Sequence, residues 1–172
     1  MMKAALANEP NAVWGESDDL EVLTFDLNGE TFALEAMDVQ EIIDLVPETH
    51  VPGSQSFVSS VINFRGKVIP LVDIRLAFGM ACEPPTIDSR IVVMAPEIAG
   101  EPILVGLRTD KVHEVTSLSR QAKEATPSVG MRWRADYIKC LVRREGDFII
   151  LPNLEAIFGR KDETPGPDRG SV

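Results

Sequence analysis

Apolar and polar side chains alternate over short stretches of this chain, which is the pattern of half-buried β-strands. Leucine or phenylalanine occupies every second position of residues 23–27, and a second apolar run covers residues 31–34. Asn28-Gly29 separates the two runs and predicts a tight hairpin, because both residues tolerate positive φ. Residues 39–46 are rich in β-branched side chains and predict the next strand.

Two more hairpins are predicted further along the chain. Residues 62–73 turn at Gly66, and residues 136–151 turn at 145–147. Pro70 lies in the second arm of the first of these hairpins. Because proline cannot donate a hydrogen bond to a strand ladder, we expect that arm to be an edge strand or to carry a bulge.

The remaining runs predict three single strands at 90–95, 102–110 and 112–118 and a helical turn at 119–125. They also predict two short helices at 74–78 and 152–158. Many short strands with closely spaced turns are typical of mainly β folds, either small antiparallel barrels or a sandwich. A folded part of about 140 residues with roughly ten strands suits two five-stranded barrels that share a seam.

The two ends of the chain differ from its middle. Residues 1–19 are acidic and lack apolar periodicity, whereas residues 160–172 are polar with two prolines and two glycines. We therefore expect a mobile acidic N-terminal tail at 1–19, a folded core at 20–159 and a polar C-terminal tail at 160–172.

Charge limits the classes of partner. The chain carries a net charge of −10; its first 20 residues hold four acids and one base, and residues 160–172 hold three of each, so −7 remains on the core. A negative core repels phosphate groups, which argues against nucleic acid and anionic membrane surfaces as partners. No apolar run is long enough to span a membrane, and no secretory signal is evident. The two cysteines lack CxxC spacing and are expected to be free thiols in a reducing cytoplasm.

The sequence shows no established catalytic pattern. Motifs of nucleotide-binding loops and serine hydrolases are missing, and neither cysteine has a histidine close by in sequence. His50 and His113 are the only histidines, so we expect no metal and no cofactor. Glu41 and Asp44 could form a pair of catalytic carboxylates. A small hydrolase built on β-barrels therefore stays open as a hypothesis. Turnover of a generic substrate that is abolished in Glu41→Gln would support that hypothesis.

Residues 60–80 show the most regular pattern of the chain. Their ionisable side chains are Arg65, Lys67, Asp73 and Arg75. A charge inside an apolar run is costly when it is buried unless it is paired. Arg65 either lies exposed at the hairpin tip or pairs with Glu41 across two strands, and the pattern alone leaves both possibilities open.

Four stretches of the chain, in the same order, resemble the chemotaxis coupling protein family (CheW-like domains). Residues 61–79, VINFRGKVIPLVDIRLAFG, resemble the family's N-L-R-G signature, and residues 25–43, FDLNGETFALEAMDVQEII, resemble its opening hairpin and next strand. Residues 105–115, VGLRTDKVHEV, and 136–158, DYIKCLVRREGDFIILPNLEAIF, resemble its later strand pair and its closing hairpin with the terminal helix.

The resemblance implies a mainly β fold of two five-stranded SH3-like β-barrels packed side by side, with a short C-terminal helix. It also implies a non-enzymatic adaptor without cofactors. Such an adaptor is cytoplasmic, is recruited to membrane receptor arrays, and links the cytoplasmic tips of chemoreceptors (methyl-accepting chemotaxis proteins) to the regulatory domain of the CheA histidine kinase. The alternative is a divergent CheW-like adaptor in a non-chemotactic kinase pathway that controls pili or second messengers.

The resemblance also assigns roles to individual residues. It implies that Arg65 and Glu41 form a structural ion pair. Ala36 and Val39 match positions that line the receptor groove, and Arg108 lies close to that groove at a position that is usually apolar. Ser60 and Val61 match the start of the signature, where the family presents a loop to its partners. Ser60 and Cys140 replace glycines of the family, and Ser60 would be strained if that glycine had positive φ.

Overall fold

The computed structural model describes residues 14–52, 58–124 and 135–158. These residues form fourteen strands: β1 (Asp19–Leu27), β2 (Glu30–Glu35), β3 (Val39–Ile43), β4 (Thr49–His50), β5 (Val58–Phe64), β6 (Lys67–Val72), β7 (Arg90–Met94), β8 (Glu97–Ile98), β9 (Glu101–Pro102), β10 (Val105–Thr109), β11 (Lys111–Ser119), β12 (Lys123–Glu124), β13 (Ile138–Arg144) and β14 (Asp147–Pro152). The helices are α1 (Ile74–Ala77) and α2 (Leu154–Phe158), and single 3₁₀ turns cover Ala36–Asp38, Arg120–Ala122 and Ala135–Tyr137. The prediction of a mainly β fold with a short C-terminal helix is confirmed.

The long strands form two sheets of six strands each. The terminal sheet has the order β11-β1-β2-β14-β13-β12 and is built from both ends of the described chain. The middle sheet has the order β3-β7-β10-β6-β5-β4 and comes from the residues between. Each sheet holds five longer strands and one two-residue strand at an edge, β12 or β4. The five strands predicted for each unit therefore correspond to the longer strands, and β8 and β9 form a separate two-stranded ribbon.

All three predicted hairpins are confirmed. Their turns are Asn28-Gly29, Arg65-Gly66 and Glu145-Gly146, and both residues of each turn have positive φ. This is the conformation of the two-residue turn that matches the twist of antiparallel strands. Asparagine and glycine adopt it readily, whereas Arg65 at φ 54° and Glu145 at φ 53° adopt it at an energetic cost.

Neither large sheet can be flat, because its two outer strands are close together in sequence. A flat six-stranded sheet separates its outer strands by about 24 Å. The six residue steps from Ile43 in β3 to Thr49 in β4 span at most about 22 Å. The four steps from Ser119 in β11 to Lys123 in β12 span at most about 14 Å. Each sheet therefore curls, as in a small barrel, while the closure of either barrel by strand pairing stays a prediction.

Pro70 does not lie in an edge strand, so that part of the expectation is wrong. β6 lies between β10 and β5 in the middle sheet. On one side of β6, only Leu71 and Val72 pair with β10, so Pro70 has no partner there. On the other side of β6, Pro70 lies opposite Val61 of β5. The predicted irregularity is close by, because the β5–β6 register shifts between Val58 and Ser60. Proline is tolerated here because it precedes the segment in which β6 is paired on both sides.

Three buried clusters hold the fold together. The terminal sheet encloses one cluster around Val22, Cys140 and Val142, and the middle sheet encloses one around Ile62 and Val93. The largest cluster joins the two sheets and takes side chains from both sheets and both helices: Phe25, Phe32, Ile74, Phe78, Met94, Leu107, Tyr137, Ile150 and Ile157 are among its members. This central core is the shared seam predicted from the strand count.

Residues 14–19 pack against the terminal sheet, although the expected N-terminal tail runs to residue 19. Trp14 is only 4% exposed and packs in the core of the terminal sheet. Its indole Nε1 donates a hydrogen bond to the Leu118 carbonyl over 3.1 Å. Arg120 Nη2 donates to the carbonyls of Gly15 and Ser17, and β1 begins at Asp19. The rest of the predicted N-terminal tail (1–13), together with residues 160–172, lies outside the described residues. Within the described part of the chain, no helix is long and apolar enough to cross a membrane.

Candidate functional site

Arg65 and Glu41 form an ion pair at the surface of the middle sheet. Arg65 Nη2 meets Glu41 Oε1, and the Arg65 guanidinium also lies 5.0 Å from the centre of the Phe64 ring. The arginine comes from the β5–β6 turn and the glutamate from β3, at the other end of the sheet order. The pair therefore fastens an outer strand to a hairpin tip across the curled sheet. The Arg65 side chain remains 72% exposed, so it is both at the tip and paired.

Exposure changes the expected effect of removing this arginine. A buried pair would make Arg65→Ala cost about 3–5 kcal/mol, but solvent screens a pair as exposed as this one. We expect Arg65→Ala to lower the free energy of unfolding by less than about 1 kcal/mol. Urea unfolding followed by circular dichroism measures the change. A loss above about 2 kcal/mol would show that the pair is a major support of the fold.

Ser60 and Arg108 meet through a shared carboxylate. Ser60 is 3% exposed, and its hydroxyl donates to Glu48 Oε1 over 2.5 Å. Arg108 Nη1 contacts Glu48 Oε2 at 3.2 Å. Ser60 is not among the described residues with positive φ, so the expected strain at this position is absent. Instead, the serine fixes the segment between β3 and β4 against β5, while Val61 is half-buried beside it.

Val39, with Ala36 in the turn just before it, lies at the opposite end of β7 from the row that holds Arg108. Val39 of β3 faces Met94 across β3–β7, whereas Arg108 of β10 faces Ile91. Three residues along β7 separate these rows by about 10 Å. The structure therefore groups Ala36 with Val39, and Arg108 with Ser60, but it does not bring all four residues into one groove.

A groove between the two sheets borders Ala36. It has a volume of about 420 Å³ and takes its lining from both sheets and from the connection between β2 and β3. Leu34, Met94 and Leu154 supply apolar lining. Met37, the neighbour of Ala36, is 84% exposed at its edge. A flexible, exposed methionine at the edge of a groove is a common feature of surfaces that bind other proteins.

The same inter-sheet groove carries more negative than positive charge. Glu35, Asp38, Glu97 and Glu155 line it together with one base, Lys139. Lys139 Nζ lies 3.4 Å from Glu35 Oε2. Burial raises the pKa of the Asp38 carboxyl above its ordinary value, and the neighbouring Glu35 raises it further, while Lys139 opposes the change. The groove is therefore electrostatically suited to a positively charged group of a partner.

The signature stretch contains a buried ion-pair network that the sequence analysis did not assign. Arg75 is 3% exposed and binds Asp73 through two hydrogen bonds, of 2.9 Å from Nε and 2.8 Å from Nη2. Its Nη1 also reaches the Glu83 carbonyl at 3.2 Å and Asp110 Oδ1 at 3.4 Å. Asp110 in turn accepts the Asn28 amide at 2.7 Å. The network thus joins the middle sheet to the first turn of the terminal sheet. The spacing Asp-x-Arg at the start of a short helix was the available signal.

Within the described residues, no group of three or more His, Cys, Asp or Glu side chains could hold a metal ion. His50 is exposed, and His113 Nε2 lies 2.9 Å from Asp26 Oδ2 on the terminal sheet. Asp44, half of the carboxylate pair considered for hydrolysis, pairs with Arg90 at 3.4 Å. The other half, Glu41, pairs with Arg65. Each carboxylate thus has its own arginine partner.

The two cysteines are free thiols in different surroundings. Cys82 is exposed, whereas Cys140 is completely buried, and burial raises the pKa of the Cys140 thiol to about 11. We expect N-ethylmaleimide to modify Cys82 alone in the folded protein and both thiols after unfolding, as read by mass spectrometry. An unfolded thiol ionises near pH 8.5, so the contribution of the buried Cys140 thiol to stability is complete below that pH and is lost as pH rises towards about 11. Rapid labelling of Cys140 under native conditions would contradict this expectation.

Comparisons with known proteins agree with the fold and with the signature stretch. The family model of the CheW-like domain matches residues 21–162. This chain belongs to the CheW-like domain family. The CheW-like chain is 29% identical over 138 residues to the chemotaxis protein CheW of Rhizobium meliloti, which covers 80% of this chain and 86% of that protein. It is 27% identical over 140 residues to the chemotaxis protein CheW of Thermotoga maritima, covering 81% of this chain and 88% of that one.

A solved structure resembles the CheW-like chain over most of its length. The scaffolding protein TtCheW from Thermoanaerobacter tengcongensis matches it with a TM-score of 0.71 and 30% identity, over 81% of this chain and 92% of the other. The predicted family and fold class are therefore confirmed. The range of the family model includes the Arg65–Gly66 hairpin and Arg75. The assignment of a chemotaxis scaffold protein of the CheW kind follows from the family and the fold.

Proposed function

We propose that this chain is a non-enzymatic adaptor that couples the cytoplasmic tips of chemoreceptors to the regulatory domain of a CheA-like histidine kinase. The observation that carries the proposal is the inter-sheet groove, which Met37 and Asp38 line between Ala36 and Val39 in the connection after β2. The groove combines apolar residues with four acids and one lysine, and such a mixed surface suits a helical partner that carries a basic group. The adaptor acts in the cytoplasm, is recruited to membrane receptor arrays, and uses neither nucleic acid nor direct membrane insertion.

In this proposal the two groups of predicted residues serve different partners. Ala36 and Val39 contact the receptor tip at the groove. Val61 contacts the second protein, and Ser60 and Arg108 position that surface through Glu48. Arg65 and Glu41 support the surface by holding the curled middle sheet together.

The test uses exposed positions, so that binding changes without unfolding. Met37→Ser removes a side chain that is 84% exposed beside Ala36, and Ile87→Ser, at 89% exposure on the opposite end of the middle sheet, is the matched control. We expect Met37→Ser to weaken binding to a purified receptor-tip fragment about tenfold, because it removes apolar contact area, while binding to the kinase regulatory domain is unchanged. Isothermal titration calorimetry measures both. Absence of binding to either partner at micromolar concentrations would contradict the proposal.

One observation favours the alternative, an adaptor in a non-chemotactic kinase pathway. The Ser60–Glu48–Arg108 cluster places an ion pair where the family usually has glycine and apolar residues. A changed surface suits a changed partner. Titration against the regulatory domains of two kinases, one from a chemotaxis cluster and one from a pilus-control cluster, distinguishes the two functions by which domain binds more tightly.

A further inference from the structure

A second, apolar cleft lies on the molecule, and its lining shares no residue with the inter-sheet groove. We call it the ribbon cleft. It has a volume of about 310 Å³. The β5–β6 hairpin, the β8–β9 ribbon with the segment after it, and the end of α2 form its walls, through Val58, Pro70, Val72, Ile98, Ile103 and Phe158. These walls come from the middle sheet, from the separate ribbon and from the helix that follows the terminal sheet.

The ribbon cleft is an opening into the central core. Val72 is 1% exposed and belongs to that core, while Val58 and Phe158 pack against it. Along β6 the side chains on this face become steadily more exposed, from Val72 through the half-buried Pro70 to Val68 at 70%. Ile103 is 39% exposed on the opposite wall. Water therefore meets apolar side chains at this edge of the central core, and covering them is favourable in proportion to the area covered.

Charge at the edge of the cleft indicates the chemistry of the group that covers it. Glu101 stands directly opposite Ile98 in the ribbon, so both side chains leave the same face. Glu101 has no ion pair among the described residues. The whole chain carries a net charge of −10. A lysine or arginine next to an apolar anchor would complement Glu101 and be attracted by the overall field.

Size limits the occupant. A cleft of about 310 Å³ accepts one or two large side chains. A stable contact with a second copy of the chain needs about 800 Å² on each partner, which is far more than a cleft of this size provides. We propose that the ribbon cleft is a docking site for a short segment of another protein, one that carries a bulky apolar residue within one helical turn of a lysine or arginine. This site goes beyond receptor–kinase coupling and does not depend on it.

The experiment selects peptides from a phage-displayed library of random 12-residue sequences on the immobilised full-length protein. We expect enrichment of sequences that pair Leu, Ile, Met, Phe or Trp with a basic residue within four positions. Labelled synthetic versions of the enriched peptides are then titrated by fluorescence anisotropy. Ile103→Gln should weaken their binding at least tenfold, and Glu101→Lys should weaken it about threefold or more.

Matched controls and two further readouts make the result decisive. Ile87→Gln changes an isoleucine that is 89% exposed elsewhere, and Glu30→Lys changes an exposed acid at the far end of β2; neither should alter binding. Thermal melts confirm that each variant is folded. Failure to enrich peptides, enrichment of acidic peptides, or equal binding of the peptides to wild type and Ile103→Gln would overturn the proposal. Sedimentation provides a second readout. If wild type is an oligomer and Ile103→Gln dissociates it, the proposal is also overturned, because the cleft then binds a second copy of the chain. Binding of the receptor tip to Ile103→Gln is titrated separately. Loss or retention of receptor-tip binding bears on receptor–kinase coupling alone, because the ribbon cleft is tested by peptide binding.

Discussion

Replacing Arg75 by alanine is expected to lower the free energy of unfolding by about 3–5 kcal/mol, the range for breaking one side of a buried ion pair. The Arg75 side chain is 4% exposed and that of Asp73 16%, so the change leaves the carboxylate in a mostly buried site without its partner. It also removes the donor to Asp110, which holds the Asn28 turn of the other sheet. Hydrogen bonding to Asp73 raises the pKa of the Arg75 guanidinium above its ordinary value, so the arginine itself stays charged at every accessible pH.

Guanidinium-chloride unfolding of wild type, Arg75→Ala and Arg65→Ala provides the measurement. The two arginines lie ten positions apart in the same signature stretch, and each pairs with a carboxylate, but only Arg75 is buried. The double variant Arg75→Met with Asp73→Leu should recover part of the loss, because it removes the buried pair and keeps apolar volume. Recovery stays incomplete, because Asp110 still loses its arginine and α1 loses the Asp73 cap. Equal, small effects of Arg75→Ala and Arg65→Ala would show that burial does not determine the strength of these pairs here.

Trp14→Ala is expected to cost about 3–5 kcal/mol, the range for truncating a large buried aromatic side chain. The indole fills the core of the terminal sheet between Leu118 and its neighbours and donates one hydrogen bond. Trp14→Phe should cost less, because it keeps the ring and loses the Nε1 donor. Chemical unfolding curves compare the two variants with wild type, and Ile87→Ala serves as an exposed control.

A negligible effect of Trp14→Ala would place residue 14 in a tail and would return the domain boundary to residue 20. The prediction therefore tests the packing at the N-terminal end of the fold directly. Far-UV circular dichroism establishes whether the alanine variant still folds. If it does not fold at 25 °C, the Phe variant and an intermediate Leu variant provide the same comparison with smaller cavities.

Local signals in the sequence predicted the local structure well. The Asn28-Gly29, Gly66 and Gly146 turns were predictable because a two-residue hairpin requires positive φ, which few residues other than glycine and asparagine adopt. The sequence did not predict which strands belong to which sheet. The β2–β14 and β10–β6 pairs are parallel and join segments far apart in sequence, and no local pattern encodes which strands meet in this way.

The candidate site was predictable only where a charge had one obvious partner. Arg65 and Glu41 were considered together, and the structure pairs them, but their exposure depends on how the sheet curls. Arg75 was visible as a charge in the signature without a role. Its partner Asp73 is only two residues away, but the burial of this pair and its contact with Asp110 depend on how the two sheets pack. Trp14 lay in a polar, acidic stretch, and one aromatic residue has no periodicity from which burial can be inferred.

The way the chain divides between the two sheets determines the order in which they can form during synthesis. Residues 39–109 supply all of the middle sheet, so that sheet can assemble as soon as this continuous stretch has left the ribosome. The β1–β2 hairpin emerges earlier, but its parallel neighbour β14 is among the last segments to be made. Until then the apolar face formed by Phe25 and Phe32 lacks its cover from Ile150. The nascent chain therefore carries a β1–β2 hairpin with an incompletely covered apolar face through much of its translation. A chaperone that recognises exposed aromatic side chains would have its longest opportunity to bind at this hairpin.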